Sequence, residues 1–291
     1  MKILITGAGG QLGQEFAANA TLRNDEIILW SREKVDICTD DVAEKLALAQ
    51  PTHVINCAAY TAVDLAENHK EQAYAVNAEA VKKIALACST LNIPVIHFSS
   101  DYVYHNNLRS PLLETDPCRP KGIYAKSKLK GEKLLLEHHP YPVIFRVSWL
   151  YSTFGKNFPK TIAHLASQRP ELNVVRDQVG APTYAKDLVE AVLQIIRNQK
   201  TETDWKAIRG VYNYSNEGLT NWFEIARSIV RFRHLNCQIN PIPSREFPTA
   251  APRPRYSKLN LSKFKGTFGI KIRNWYDALE ECLGKLQTKD H

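Results

Sequence analysis

Short apolar runs alternate with stretches of helical periodicity through the first half of this 291-residue chain. Lys2–Thr6 reads as a first strand, and Leu12–Ala20 as the helix behind a glycine-rich turn. Glu26–Trp30, His53–Cys57, Pro94–Ser99 and Val143–Val147 read as four further strands. Helices are expected over Asp40–Gln50, with Asp40 as the cap and Pro51 beyond its end, over Lys70–Leu91 as one long helix, and over Gly122–His138. Strand and helix taking turns in this way is the pattern of βαβ units on a parallel sheet. After Trp149 the helices shorten, and Pro241–Pro254 carries five prolines in fourteen residues. The expected architecture is α/β: a doubly wound parallel sheet in residues 1–150, joined by elements returning near 184–210. A smaller substrate-binding lobe, mainly residues 151–291, would lie over the carboxyl ends of the strands.

Composition narrows the class. Apolar residues are 44% and charged residues 23%, values of an ordinary globular protein. No apolar run approaches the length of a membrane span, and Ile3–Ile5 ending at Thr6-Gly7 is too short for a signal-peptide core. A cytoplasmic protein is expected. Six cysteines (Cys38, Cys57, Cys88, Cys118, Cys237 and Cys282) are scattered without a CxxC pair, so reduced thiols and no zinc site are expected. The net charge of +8 is spread along the chain with no finger or helix-turn-helix spacing, which argues against nucleic acid. A basic surface also draws in anionic small molecules.

The turn after the first strand reads Thr6-Gly7-Ala8-Gly9-Gly10-Gln11-Leu12-Gly13, with Gly7, Gly10 and Gly13 at GxxGxxG spacing. Between a strand and a helix, that spacing lets backbone amides meet a pyrophosphate and makes the sheet Rossmann-type. The second strand ends Leu29-Trp30-Ser31-Arg32 with no carboxylate before Glu33. Ser31 and Arg32 there fit a ribose 2′-phosphate, which favours NADPH over NADH, although a solvated surface arginine fits too. Asp36 and Ile37 follow, where adenine would lie.

Two segments carry the chemistry. Ser100 and Asp101 end the fourth strand, at the edge where such sheets hold ligands. Tyr124 and Lys128 stand at i, i+4 on the next helix and share one face. An ammonium beside a phenol is expected to lower the phenol pKa, so that Tyr124 serves as general acid when hydride reaches a carbonyl. Ser100 would polarise the same oxygen.

The glycine turn, the strand-end serine and the YxxxK spacing together resemble the extended short-chain dehydrogenase/reductase family, most closely its dTDP-sugar reductases. Similar segments run along the chain: Val54-Ile55-Asn56-Cys57-Ala58-Ala59-Tyr60-Thr61-Ala62-Val63-Asp64, Ser100-Asp101-Tyr102-Val103-Tyr104, Arg146-Val147-Ser148-Trp149, Asp177-Gln178 with Gly180 and Pro182-Thr183, and Pro252-Arg253-Pro254. The resemblance implies that Gly7, Gly10, Gln11 and Leu12 wrap the cofactor pyrophosphate and that Asp36 and Ile37 meet adenine. Ala58, Ala59 and Tyr60 would border the cofactor. Tyr124 is the implied proton donor, Lys128 its partner and ribose ligand, and Ser100 the carbonyl-side hydroxyl. Ser100, Asp101, Tyr102, Trp149 and Arg253 would touch a dTDP-sugar, with Arg253 on its diphosphate. Trp149 alone fits a sugar or base platform and equally a core tryptophan at the lobe junction.

Three departures bear on this. Ser100 replaces the family's usual threonine and keeps the hydroxyl, while Tyr104 replaces a phenylalanine. His105-Asn106-Asn107, running on to Arg109, replaces the common Asp-Gly and leaves the sugar open. Some relatives bind magnesium at a dimer contact through an acidic residue of the first helix. Glu15 stands there, but the sequence places no partner carboxylates, so no required metal is expected; a homodimer remains compatible. Dihydrostreptose synthases, which contract the ring as they reduce it, and the reductase-like regulatory β subunit of methionine adenosyltransferase share the same framework and stand as alternatives.

Overall fold

The computed structural model describes residues 1–19, 25–105 and 110–287. Ala20, at the end of the expected first helix, and Asn106, Asn107 and Arg109 lie outside them. The first half builds β1 (Lys2–Thr6), α1 (Gln11–Ala18), β2 (Glu26–Trp30), α2 (Val42–Ala49), β3 (His53–Asn56), α3 (Lys70–Tyr74), α4 (Ala80–Thr90), β4 (Val95–Ser100), α5 (Ile123–His138) and β5 (Val143–Val147). The second half adds β6 (Leu150–Tyr151), α6 (Phe158–Ala166), β7 (Glu171–Val175), β8 (Val179–Gly180), β9 (Thr183–Tyr184), α7 (Ala185–Asn198), α8 (Glu202–Ala207) and β10 (Gly210–Tyr214). It closes with β11 (Thr220–Asn221), α9 (Trp222–Phe232), β12 (Gln238–Ile242), β13 (Tyr256–Ser257), α10 (Ser262–Phe268) and α11 (Trp275–Gln287).

Six strands form one parallel sheet in the order β10-β5-β4-β3-β1-β2. Its strands are apolar on both faces because helices cover both, as a parallel sheet requires. Ile3, Ile5, Phe98 and Phe145 pack with α1 and α7 on one side. Leu4, Val54, Val95 and Ile144, one residue out of step, pack with α2, α4 and α5 on the other. A third core, with Tyr151, Ile162, Leu172, Ile225 and Leu279, holds the C-terminal elements together.

Two local expectations are corrected. The cap of α2 is Asp41, not Asp40: its carboxylate accepts the Glu44 N–H at 3.0 Å, while Asp40 accepts the Asp36 N–H. The helix expected over Lys70–Leu91 is interrupted by a π-helical segment, Ala75–Glu79. That segment presses the Asn77 carbonyl against α5 at Gly131, where an added Cβ would overlap the carbonyl oxygen. Alanine in place of a helical glycine ordinarily stabilises by about 1 kcal/mol. Gly131→Ala is expected to reverse that sign and cost about 1–3 kcal/mol, because backbone leaves it no room. Urea denaturation followed by circular dichroism checks this, and an unchanged or higher midpoint would refute it.

Candidate active site

Strand β1 runs into a turn in which Gly10 N–H donates to the Gly7 carbonyl at 2.9 Å. Gly7 has φ +63° and lies so close to β3 that a Cβ would stand 2.5 Å from Ala58 backbone atoms. A cavity of about 210 Å³ opens beside this turn, at the N-terminus of α1. Gly7, Gly10, Arg32, Asp36, Ile37, Ala58, Ala59 and Tyr60 line it. A glycine-walled cradle at a helix N-terminus, with an arginine at the far end, fits a dinucleotide phosphate. Leu12 turns its side chain into the core, leaving only backbone for such a role, and the Gln11 carboxamide oxygen accepts from Asn157 Nδ2 at 2.9 Å. Ser31 is absent from the lining, and its hydroxyl bonds Glu33. Arg32 is 87% exposed and meets Asp36 at 3.4 Å, an exposed pairing weak enough to be exchanged for a phosphate. Val35, Cys38, Cys57 and Val76 also line the cavity, although no motif pointed to them.

The carboxyl end of β4 meets α5. The Tyr124 phenol hydrogen-bonds the Ser100 hydroxyl, which in turn donates to Asp101 Oδ1 at 3.1 Å and accepts the Tyr102 N–H at 3.2 Å. Burial pushes the Tyr124 phenol up to about 12, with Ser100 pulling the other way. This corrects the expected lowering by Lys128: the Lys128 ammonium directs one N–H to the Phe98 carbonyl at 2.6 Å, and desolvation dominates at Tyr124. Burial pushes Lys128 down to about 8, opposed by Glu132. Tyr124 is thus held protonated at neutral pH, the state a proton donor needs.

Asp101 is buried with Oδ2 unpartnered, and its carboxyl rises to about 6 because burial outweighs the hydroxyls of Ser257 and Ser100. The Tyr102 and Tyr124 rings meet edge to face at 5.8 Å, and the Arg253 guanidinium lies over the Tyr102 ring at 5.8 Å. Trp149 has φ +49° and stacks on Trp222 at 4.1 Å, beside Gly180. Trp222 Nε1 donates to Gln178 at 3.1 Å. A strained backbone held by aromatic packing is a frequent mark of a ligand wall. Ser100, Asp101, Tyr102, Tyr124, Lys128 and Arg253 are therefore linked in one neighbourhood, and Trp149 packs against the third core. Glu15 is buried and accepts from Ser152 at 2.7 Å. A larger hollow of about 520 Å³, lined by Arg227, Arg231, Trp275 and Tyr276 among others, opens elsewhere on the C-terminal lobe and includes none of the Ser–Tyr–Lys cluster.

Fold and cluster define an extended short-chain dehydrogenase/reductase. The family model described as the RmlD substrate binding domain matches residues 1–288. The dTDP-4-dehydrorhamnose reductase of Sinorhizobium fredii is 37% identical over 292 residues, covering 98% of each chain. The crystal structure of a dTDP-4-dehydrorhamnose reductase from Clostridium acetobutylicum superposes with a TM-score of 0.92 at 36% identity, covering 99% of this chain and 100% of that one. The Bacillus anthracis enzyme, solved in complex with NADP, gives 0.91 at 32% identity, covering 98% and 100%. The chain belongs to the dTDP-4-dehydrorhamnose reductase family.

The Asp101 carboxyl gives a pH signature. In the fold it loses its proton near 6 rather than near its ordinary value of 3.8, so ionising it destabilises the fold. Stability is lost from about pH 4 upward and the loss is complete above about pH 6, amounting to about 3 kcal/mol. The stability difference between Asp101→Asn and the parent is expected to move by that amount in favour of the variant between pH 4 and 7. Urea titrations across this range measure it, and a constant difference would be the contrary result.

Proposed function

We propose that the protein reduces dTDP-4-dehydro-β-L-rhamnose to dTDP-L-rhamnose with NADPH, in the cytoplasm, supplying a deoxysugar for cell-surface polysaccharide. The observation that carries this reading is the half-buried, protonated Tyr124 bonded to Ser100 between two complementary walls. On one side lies the glycine-walled cradle of residues 1–150. On the other, Trp149, packed against the third core, and Arg253 would hold the nucleotide sugar.

Backbone amides of Gln11 and Leu12, beside Gly10, would hold the cofactor pyrophosphate, Arg32 its 2′-phosphate, and Asp36 and Ile37 its adenine. Ala58, Ala59 and Tyr60 would flank it. NADPH supplies the hydride when bound. Ser100 donates to the sugar C4 carbonyl oxygen, and Tyr124 gives that oxygen its phenolic proton as it becomes an alkoxide. The phenolate left behind is stabilised by the Lys128 ammonium one turn along α5. Asp101 and Tyr102 orient the sugar, Trp149 stacks on it, and Arg253 offers its fork to the diphosphate. Desolvation keeps Tyr124 in its protonated form at neutral pH, the form from which reduction starts.

Purified protein with the keto sugar and NADPH should lose nicotinamide absorbance, with NMR of the product giving the rhamno sugar. Failure to consume NADPH, or a ring-contracted product, would overturn the reading. Tyr124→Phe is expected to lower turnover by about 10²–10⁴-fold with dTDP and NADPH binding retained; a parallel loss of binding would contradict its role. Arg32→Ala should raise the KM for NADPH about tenfold, the worth of one charge-assisted contact, and leave that for NADH unchanged. Equal effects on both cofactors would remove Arg32 from the 2′-phosphate site.

A further inference from the structure

Asp64 ends the Ala58–Asp64 segment, and its carboxylate joins the two lobes. Oδ1 accepts the Ala251 N–H at 3.0 Å, and Oδ2 accepts Arg253 Nη2 at 2.5 Å. The single 3-10 turn that follows, Leu65–Glu67, carries a second carboxylate. Glu67 Oε1 accepts the N–H of Ile123, the first residue of α5, at 2.8 Å. One short element therefore holds both the loop bearing Arg253 and the start of the helix bearing Tyr124. The Arg253 guanidinium is half satisfied. Its Nη2 is taken by Asp64, whereas Nη1 is buried with no hydrogen-bond partner among the described residues.

We propose that Asp64 is a positioning residue that fixes Arg253 so that its open edge receives a phosphoryl oxygen of the substrate diphosphate. This rests on the reading of the substrate as a dTDP-sugar. A planar guanidinium gripped along one side presents its other donors in a fixed direction, which a freely rotating arginine does not. The carboxylate also holds the Ala251 backbone, a bond that no arriving phosphate replaces. That marks Asp64 as a clamp and not as an anion awaiting displacement.

Orientation and competition give opposite signs. If Asp64 orients Arg253, Asp64→Asn should weaken dTDP binding about tenfold and raise the KM for the keto sugar to match, the scale of one charge-assisted contact. Turnover and NADPH affinity should change little. In an Arg253→Ala background the same substitution should add nothing. Tighter or unchanged dTDP binding by Asp64→Asn, or a full additional loss on top of Arg253→Ala, would overturn the proposal. Arg253→Lys is the second variant: a lysine cannot be held on one side and offer a fixed second donor edge. It should bind dTDP as weakly as Asp64→Asn, and unimpaired binding would likewise overturn the clamp. Calorimetry with dTDP alone needs no turnover, so parent protein that binds dTDP without consuming NADPH would sink the reductase reading while leaving the clamp to its own test.

Discussion

The site depends on how one helix is fastened to one strand. Three residues of α5 at four-residue intervals, Tyr124, Lys128 and Glu132, meet three successive residues of β4: Ser100, the Phe98 carbonyl and Ser99. The lowest rung is anchored by a buried ion pair, in which Arg146 of β5 gives Glu132 its Nε at 3.1 Å and its Nη2 at 2.7 Å. Removing either partner of such a pair leaves a charge stranded in the interior, at a cost of about 3–5 kcal/mol. Sliding α5 along the sheet would do the same. The chemistry at the top of the helix thus inherits its placement from an electrostatic lock two turns below.

A second set of contacts ties the six-stranded sheet and its helices to the C-terminal elements. Helix α1 reaches the C-terminal part through Gln11 to Asn157 and Glu15 to Ser152. Ser257 faces Asp101, and Asp64 holds Arg253. Most of these bonds involve a charged or amide group. The parts expected to hold cofactor and sugar are joined by directional bonds as well as by apolar packing.

The strands and helices of the first half were legible because strands buried on both faces are nearly uninterrupted apolar runs. Ser100, Tyr124 and Lys128 could be singled out because their chemistry is local, resting on a strand end and an i, i+4 pair. The π-helical segment was not legible, since Ala75–Glu79 has the same composition as the helix around it and deviates only where Gly131 lets α5 approach. Nor could spacing separate Asp40 from Asp41 as a cap. The Lys128 bond to Phe98 and the raised Tyr124 phenol reflect burial, which no spacing reports. Asp64 to Arg253 and Asp101 to Ser257 join residues more than a hundred positions apart, and only the finished fold brings them together.

The sheet is completed late. Strand β10, residues 210–214, pairs along the whole outer side of β5, residues 143–147, and between them the chain builds most of another lobe. During synthesis, β5 emerges with its outer backbone groups unpaired, the kind of open edge that recruits strands from other chains. Its neighbour across the sheet, β4, is already in place, so the half-made molecule carries the entire Ser–Tyr–Lys cluster on a sheet that is still sticky on one side. The β5 backbone is covered only once Gly210–Tyr214 has left the ribosome. The order of the strands thus sets a period of vulnerability in the life of each new molecule, and a chain cut before residue 210 would never leave it.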